Sequence, residues 1–142
     1  MIDRLQRTAE ALDLPFGKRD MTYNSRLAQE LGKLAESRGK GEAFHNAVFR
    51  AYFADGLNIS DVNVLISIGE TAGLSEPNMR MALADRSFKA AVDADWARAH
   101  QLGITAVPTF RMNRQTIVGA QPYGILEKFL ESQNIGRRKI IK

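Results

Sequence analysis

Few residues of this 142-residue chain suggest chemistry, and the most versatile nucleophile is missing. The sequence contains no cysteine, which excludes disulfides, thiolate nucleophiles, redox CxxC chemistry and cysteine-ligated metals. Its two histidines, His45 and His100, lack the i+3 or i+4 partner that helix-borne metal sites use. We therefore expect no metal site, no cofactor and no catalytic residue within this chain.

One short segment has a specific local pattern, because it follows a glycine that ends a helix and leads directly into a strand. It consists of Thr105, Ala106, Val107 and Pro108, followed by Thr109 and Phe110. Only about 5–6% of X-Pro bonds in folded proteins are cis. Without further information, this low frequency therefore favours a trans Val107–Pro108 bond, with the proline at the start of a strand.

The segments that must position this loop are mostly helical. Six stretches before Gly103 repeat apolar residues at helical spacing, and Asn24, Ser60 and Ser75 are the expected N-caps of three of them. After Gly103 the apolar period changes to two. Strands at residues 109–113 and 116–118 are expected to form a hairpin, and a last helix follows Pro122.

The predicted fold class is mainly α with a small β-hairpin, an α+β arrangement. The aromatic residues at helical spacing are expected to pack in the core; they are Phe44, Phe49, Tyr52, Phe53 and Trp96. A two-stranded hairpin is marginally stable alone, and its first strand offers an open edge. We therefore expect another strand to pair with residues 109–113, and the rest of the sequence predicts none.

Composition places the chain among ordinary globular domains, with 44% apolar and 25% charged residues and a net charge of +4. Part of that charge lies in a basic tail at residues 135–142, which has no interleaved aromatic residues, so nucleic acid is not an expected partner. No apolar run is long enough for a membrane span, and residues 1–4 do not resemble a secretory signal. We expect a cytoplasmic protein.

Four stretches of the sequence resemble a known family. Leu-Gly-Ile-Thr-Ala-Val-Pro-Thr-Phe at residues 102–110 and Val-Gly-Ala-Gln-Pro at residues 118–122 resemble the C-terminal part of the DsbA-like thioredoxin superfamily. Residues 47–56 are similar to the helical insertion of its FrnE-like branch of predicted dithiol-disulfide isomerases, as is the opening stretch at residues 11–16.

The resemblance implies a partial thioredoxin-like fold. A helical insertion would occupy residues 1–103 and a ββα unit residues 104–134, whereas the family's N-terminal strand-helix-strand, with its CxxC, is missing. In that family the proline that opens the strand is cis and faces the redox cysteines, and the backbone of the preceding residue pairs with substrate peptide. By position these are Pro108 and Val107, with Ala106 and Thr105 beside them.

The resulting hypothesis is a truncated or split DsbA-family protein that is redox-inactive alone and retains a peptide-binding loop. Two alternatives stay open: a structural, self-associating protein, and an enzyme similar to kappa-class glutathione transferases or hydroxychromene-carboxylate isomerases. The expected partner is a second copy, or another chain, that pairs with residues 109–113.

Overall fold

The structure is a computed structural model that describes residues 2–136. The four basic residues expected in the tail, Arg137, Arg138, Lys139 and Lys142, lie outside the described residues. In chain order the elements are α1 Ile2–Ala11, α2 Arg26–Ser37, α3 Gly41–Phe49, α4 Val62–Thr71, α5 Glu76–Ala84, α6 Lys89–Gln101, β1 Thr109–Met112, β2 Gln115–Val118 and α7 Tyr123–Ser132. The predicted fold class, mainly helical with one small antiparallel hairpin, is confirmed.

The chain divides between Asp95 and Trp96 into two compact units. This division lies within α6, whereas the sequence predicts a boundary at residue 103. Among residues 2–136, no helix is both long enough and apolar enough to cross a bilayer.

The first unit has a continuous apolar core, because α2 packs against α3, α4 and α5 and each of these helices presents an apolar stripe to the others. The largest apolar side chains that are fully buried there are Leu31, Phe44, Leu65 and Met79. The core thus follows from the helical spacing of apolar residues in the sequence.

Two of the three predicted N-caps are displaced by one residue. α4 is capped by Asp61, whose carboxylate accepts hydrogen bonds from the N–H groups of Asn63 and Val64 at 2.8 and 3.0 Å. The predicted cap, Ser60, instead donates its hydroxyl to Asn58 at 2.5 Å. A carboxylate accepts from two amides at once, which explains why the aspartate holds this position.

At the start of α2 the N-cap is Ser25, and the side chain of Asn24 accepts from the Arg26 N–H at 2.8 Å. Asn24 therefore binds the first turn from one position further out than predicted. Ser75 holds the predicted N-cap position of α5, although its side chain makes no capping hydrogen bond.

The expectation that the aromatic residues pack in the core is wrong for three of them. Phe44 is 1% exposed, but Phe49, Phe53 and Trp96 are 58%, 39% and 52% exposed. The helix changes after Phe49, where residues Arg50–Ala54 form a π-helical turn. Ala51 lies two α-helical turns after Phe44 and is 4% exposed, whereas Phe49 is five residues from Phe44 and so lies on a different side of the helix.

The second unit contains the end of α6, the hairpin and α7. Strands β1 and β2 pair antiparallel, with Thr109 opposite Val118 and Met112 opposite Gln115. None of the described residues 96–136 is buried. The described part of this unit therefore has no buried core residue, as expected of a two-stranded sheet with little around it.

Candidate peptide-binding loop

The loop begins where α6 ends. Gly103 adopts φ +70°, a left-handed conformation that favours glycine, and its N–H donates to the His100 carbonyl at 2.9 Å. The next amide, that of Ile104, donates to the Ala99 carbonyl at 3.0 Å. These two bonds end the helix and direct the chain into the loop.

All four residues that the sequence predicts for the site lie together in this loop, and each is exposed; they are Thr105, Ala106, Val107 and Pro108. Val107 is 88% exposed, the largest fraction among the exposed large apolar residues of the described chain. Its N–H and C=O groups make no hydrogen bond within the described residues. The Val107–Pro108 peptide bond is cis, as the family resemblance implies.

Hydrogen bonds on both sides hold the loop in place. The Thr109 hydroxyl donates to the Ala106 carbonyl at 2.5 Å, and the Gly119 N–H donates to the Pro108 carbonyl at 2.8 Å. The loop is therefore attached to the hairpin while its outer backbone groups stay accessible.

Arg111 is a residue of this region that the sequence reasoning missed. Its guanidinium donates to the Leu102 carbonyl at 2.5 Å and so joins β1 to the end of α6. The signal was present in the sequence, because a charged residue alternates with the apolar Phe110 and Met112 along the strand. The predicted turn after it is confirmed, with Asn113 at φ +54°.

The ladder between β1 and β2 determines which backbone groups face outward. In an antiparallel pair, hydrogen-bonded and non-hydrogen-bonded residue pairs alternate. The hydrogen bond from Gly119 to Pro108 shows that these two residues form a hydrogen-bonded pair. Counting along β1 by twos, Phe110 and Met112 are therefore the residues whose backbone groups bond to β2. Thr109 and Arg111 consequently direct their N–H and C=O groups to the other edge of β1, where no described strand pairs with them.

The charged residues on either side of the loop in the sequence are all positive. Between Asp95 and Glu127 the sequence has no acidic residue, whereas it has three arginines, Arg98, Arg111 and Arg114. The arginines are all exposed. Residues 96–126 therefore carry an excess of positive charge along the sequence.

Two carboxylates of the first unit have displaced pKa values. Hydrogen bonds from Arg86, then from Arg26, hold the pKa of Glu30 below its usual value. Hydrogen bonds from Lys89 and Arg26 likewise lower the pKa of Asp93. Within the described residues no three His, Cys, Asp or Glu side chains cluster as metal ligands would. Residues 105–108 thus offer exposed backbone groups and carry no titratable side chain.

The family model of the DSBA-like thioredoxin domain matches residues 1–131. This chain belongs to that family. The described structure is also similar to the crystal structure of a probable DsbA oxidoreductase from Streptomyces coelicolor, with a TM-score of 0.82 and 32% sequence identity. That match covers 99% of this chain and 62% of the other. The hairpin and the preceding helices therefore belong to a DsbA-like thioredoxin fold.

A Bacillus subtilis protein, YwbO, described as uncharacterized, is 31% identical over 108 residues. The match covers 75% of this chain and 54% of YwbO. The chain thus spans a little more than half the length of these relatives. Among residues 2–136 the only strands are the two of the hairpin.

Proposed function

We propose that this chain is a DsbA-family polypeptide that binds extended polypeptide segments at residues 105–108 and exchanges no disulfides by itself. Family membership supports the proposal. The observation that carries it is the exposure of Val107, which is 88% exposed and whose backbone N–H and C=O groups make no hydrogen bond within the described residues. This residue lies next to the strand β1, one edge of which is unpaired in the described residues. An extended segment would pair its own N–H and C=O groups with this backbone, as in strand addition to a sheet edge.

The redox part of the proposal rests on chemistry. Thiol-disulfide exchange begins when a thiolate attacks a sulfur atom, and this sequence has no cysteine to supply one. The family's redox step would need a CxxC outside these 142 residues, either in the same polypeptide or in another. For this reason we propose that the chain is part of a truncated or split protein. A cytoplasmic location is part of the same proposal.

An insulin-reduction assay tests the redox part. With dithiothreitol as reductant, we expect insulin to precipitate no faster with the purified chain than with buffer alone. A CxxC-containing thioredoxin is the positive control. Reproducible turnover above the blank, from protein shown by mass spectrometry to be free of thioredoxins, would contradict the proposal.

A binding measurement tests the peptide part. The probe is fluorescently labelled insulin B chain with carboxymethylated cysteines, which stays extended and cannot form disulfides. Val107→Pro removes the free N–H and should weaken binding about two- to twelvefold, the equivalent of one backbone hydrogen bond of about 0.5–1.5 kcal/mol. Val107→Ala keeps the N–H and is the matched control. Equal affinities of the two variants would count against pairing at this residue.

A further inference from the structure

We infer that a cleft in the first unit binds small organic phosphate monoesters. The cleft has a volume of about 240 Å³ and lies between the turn that joins α2 to α3 and the turn that joins α4 to α5. All of its lining residues belong to the first unit, so the inference is independent of the loop at residues 105–108.

The floor of the cleft is apolar, and its walls are polar. Leu34 on α2 and Leu74 in the second turn are 4% and 8% exposed, so the floor is continuous with the core. No acidic side chain lines the cleft. The walls carry two cations and two neutral polar side chains, which are those of Arg38, Lys40, Ser75 and Asn78.

A close contact between the two turns determines the position of one cation. Gly73 has φ +79°, and a Cβ on it would lie 2.8 Å from Nζ of Lys40 and 3.6 Å from Cε of the same side chain. The ammonium group of the first turn therefore lies directly against the backbone of the second turn. Glycine at position 73 leaves the space that this group occupies.

Both cations are available to a ligand. Within the described residues, the side chains of Arg38 and Lys40 form no ion pair and no hydrogen bond. Glu36 and Glu76, which flank the lining residues in sequence, instead pair with other cations at 3.1 and 2.6 Å. The cleft therefore has two positive charges that no carboxylate of the described chain neutralises.

The charge of the cleft distinguishes a phosphate monoester from other anions. At pH 7 a phosphate monoester carries a charge of about −1.5 to −2 and has three strong acceptor oxygens. Arg38 and Lys40 together match this charge, whereas a carboxylate or a sulfate ester would leave one positive charge uncompensated. The Ser75 hydroxyl, which makes no capping hydrogen bond, and the Asn78 amide supply further donors.

The size of the cleft limits the rest of the ligand. Clefts that hold drug-sized molecules have volumes of roughly 300–1,000 Å³, so this one fits a smaller compound. A single ring or a short carbon chain beside the phosphate would contact Leu34 and Leu74.

Phenyl phosphate is the probe, and amide NMR shifts of the ¹⁵N-labelled chain report its binding. At 0.05 M NaCl and pH 7.5 we expect saturable shifts at residues 38–40 and 73–78. The affinity should exceed that of phenyl sulfate, which has a similar shape and a single negative charge, by about fivefold or more. Inorganic phosphate should bind more weakly than phenyl phosphate, because it has no apolar group to bury against the leucines.

Variants of the lining residues provide the sharper test. Arg38→Gln and Lys40→Gln each remove one charge and should weaken phenyl phosphate binding by about fivefold or more. Asn78→Asp keeps the size of the side chain but places a negative charge in the cleft, and it should weaken binding by a similar factor. Arg4→Gln removes an exposed charge from α1 and is the matched control, with unchanged affinity expected.

Far-UV circular dichroism shows whether each variant is folded, and Asn78→Asp decides the matter if the removal of a cation unfolds the chain. The absence of saturable shifts up to about 10 mM phenyl phosphate would overturn the inference, as would equal affinities of the wild type and Asn78→Asp. Lower stability of Lys40→Gln with unchanged binding would also contradict it, because the lysine would then only join the two turns. Tighter binding of a phosphoserine pentapeptide than of phenyl phosphate would overturn the assignment to small molecules.

Discussion

The carboxylate of Glu30 accepts two hydrogen bonds from the guanidinium of Arg86, 2.8 Å from Nε and 2.6 Å from Nη2. These residues are 56 positions apart, and Glu30 is 1% exposed. Arg26, one turn before Glu30 on α2, adds a third hydrogen bond at 2.9 Å. The buried charge is thereby compensated, and α2 is joined to the segment that follows α5.

Removal of the Glu30 charge should destabilise the first unit. We expect Glu30→Gln to lower the free energy of unfolding by about 2–3 kcal/mol, below the 3–5 kcal/mol typical of a broken buried pair because the Arg86 side chain is 41% exposed. Glu36→Gln is the matched control, since Glu36 is 46% exposed and pairs with Lys33; its effect should stay below about 0.5 kcal/mol. Urea unfolding followed by far-UV circular dichroism gives both values, and equal values would contradict the assigned role.

The same carboxylate predicts how stability depends on pH. Its pKa is lowered in the folded chain, chiefly by the hydrogen bonds from Arg86, so the unfolded chain takes up a proton first as the pH falls. The stabilisation is therefore complete above the ordinary glutamate pKa of about 4.3 and is lost as the pH falls from there through the folded value. We expect unfolding midpoints measured from pH 7 to pH 3 to fall more steeply for the wild type than for Glu30→Gln. Parallel curves would show that another group controls the loss of stability at low pH.

Two phenylalanines on α3 differ in burial and make a matched pair. Phe44 is 1% exposed, and Phe44→Ala should cost about 3–5 kcal/mol through lost burial and the cavity it leaves. Phe49 is 58% exposed, and Phe49→Ala should cost less than about 1 kcal/mol. Thermal or urea unfolding of the two variants would decide this. Comparable losses would indicate that Phe49 is covered in solution, for example by a second copy.

Self-association along β1 stays a prediction from the sequence. Two copies pairing antiparallel about a two-fold axis at Phe110 would place Phe110 opposite its copy and Arg111 opposite Thr109, so no like charges face each other directly. Because both copies carry the same arginines, we expect dimerisation to strengthen as salt is raised from 0.05 to 0.5 M.

Sedimentation velocity at micromolar concentration measures this equilibrium, and engineered cysteines locate it. The chain has no cysteine of its own, so Phe110→Cys should give a disulfide-linked dimer under oxidising conditions, whereas Ile117→Cys, opposite it on β2, should not. A species of 15.8 kDa at both salt concentrations would contradict a homodimer. Equal cross-linking of the two variants would contradict pairing of the two copies through the edge of β1.

The elements of this protein were largely predictable from the sequence, since their signals are local. The left-handed glycines at positions 56, 73 and 103 end helices because they lack a Cβ, and Asn113 turns the hairpin because asparagine tolerates positive φ. The period change after Gly103 predicted both strands, and the residues around Pro108 carried the family resemblance that the family model confirms. The predicted domain boundary at residue 103 and the peptide-binding role of the loop stay predictions.

Long-range relationships were decided only by the tertiary structure. Helical spacing places Phe44 and Phe49 about 140° apart around α3, but only the packing of α2 and α4 shows that the Phe44 side is covered and the Phe49 side is exposed. Likewise, no pattern in the sequence pairs Glu30 with Arg86, because the bond depends on where α5 returns beside α2. An open edge on the first strand was a prediction from the sequence, but the hairpin register decided which backbone groups that edge offers. Local conformation is determined by the chemistry of neighbouring residues, whereas burial and charge pairing are properties of the packed elements.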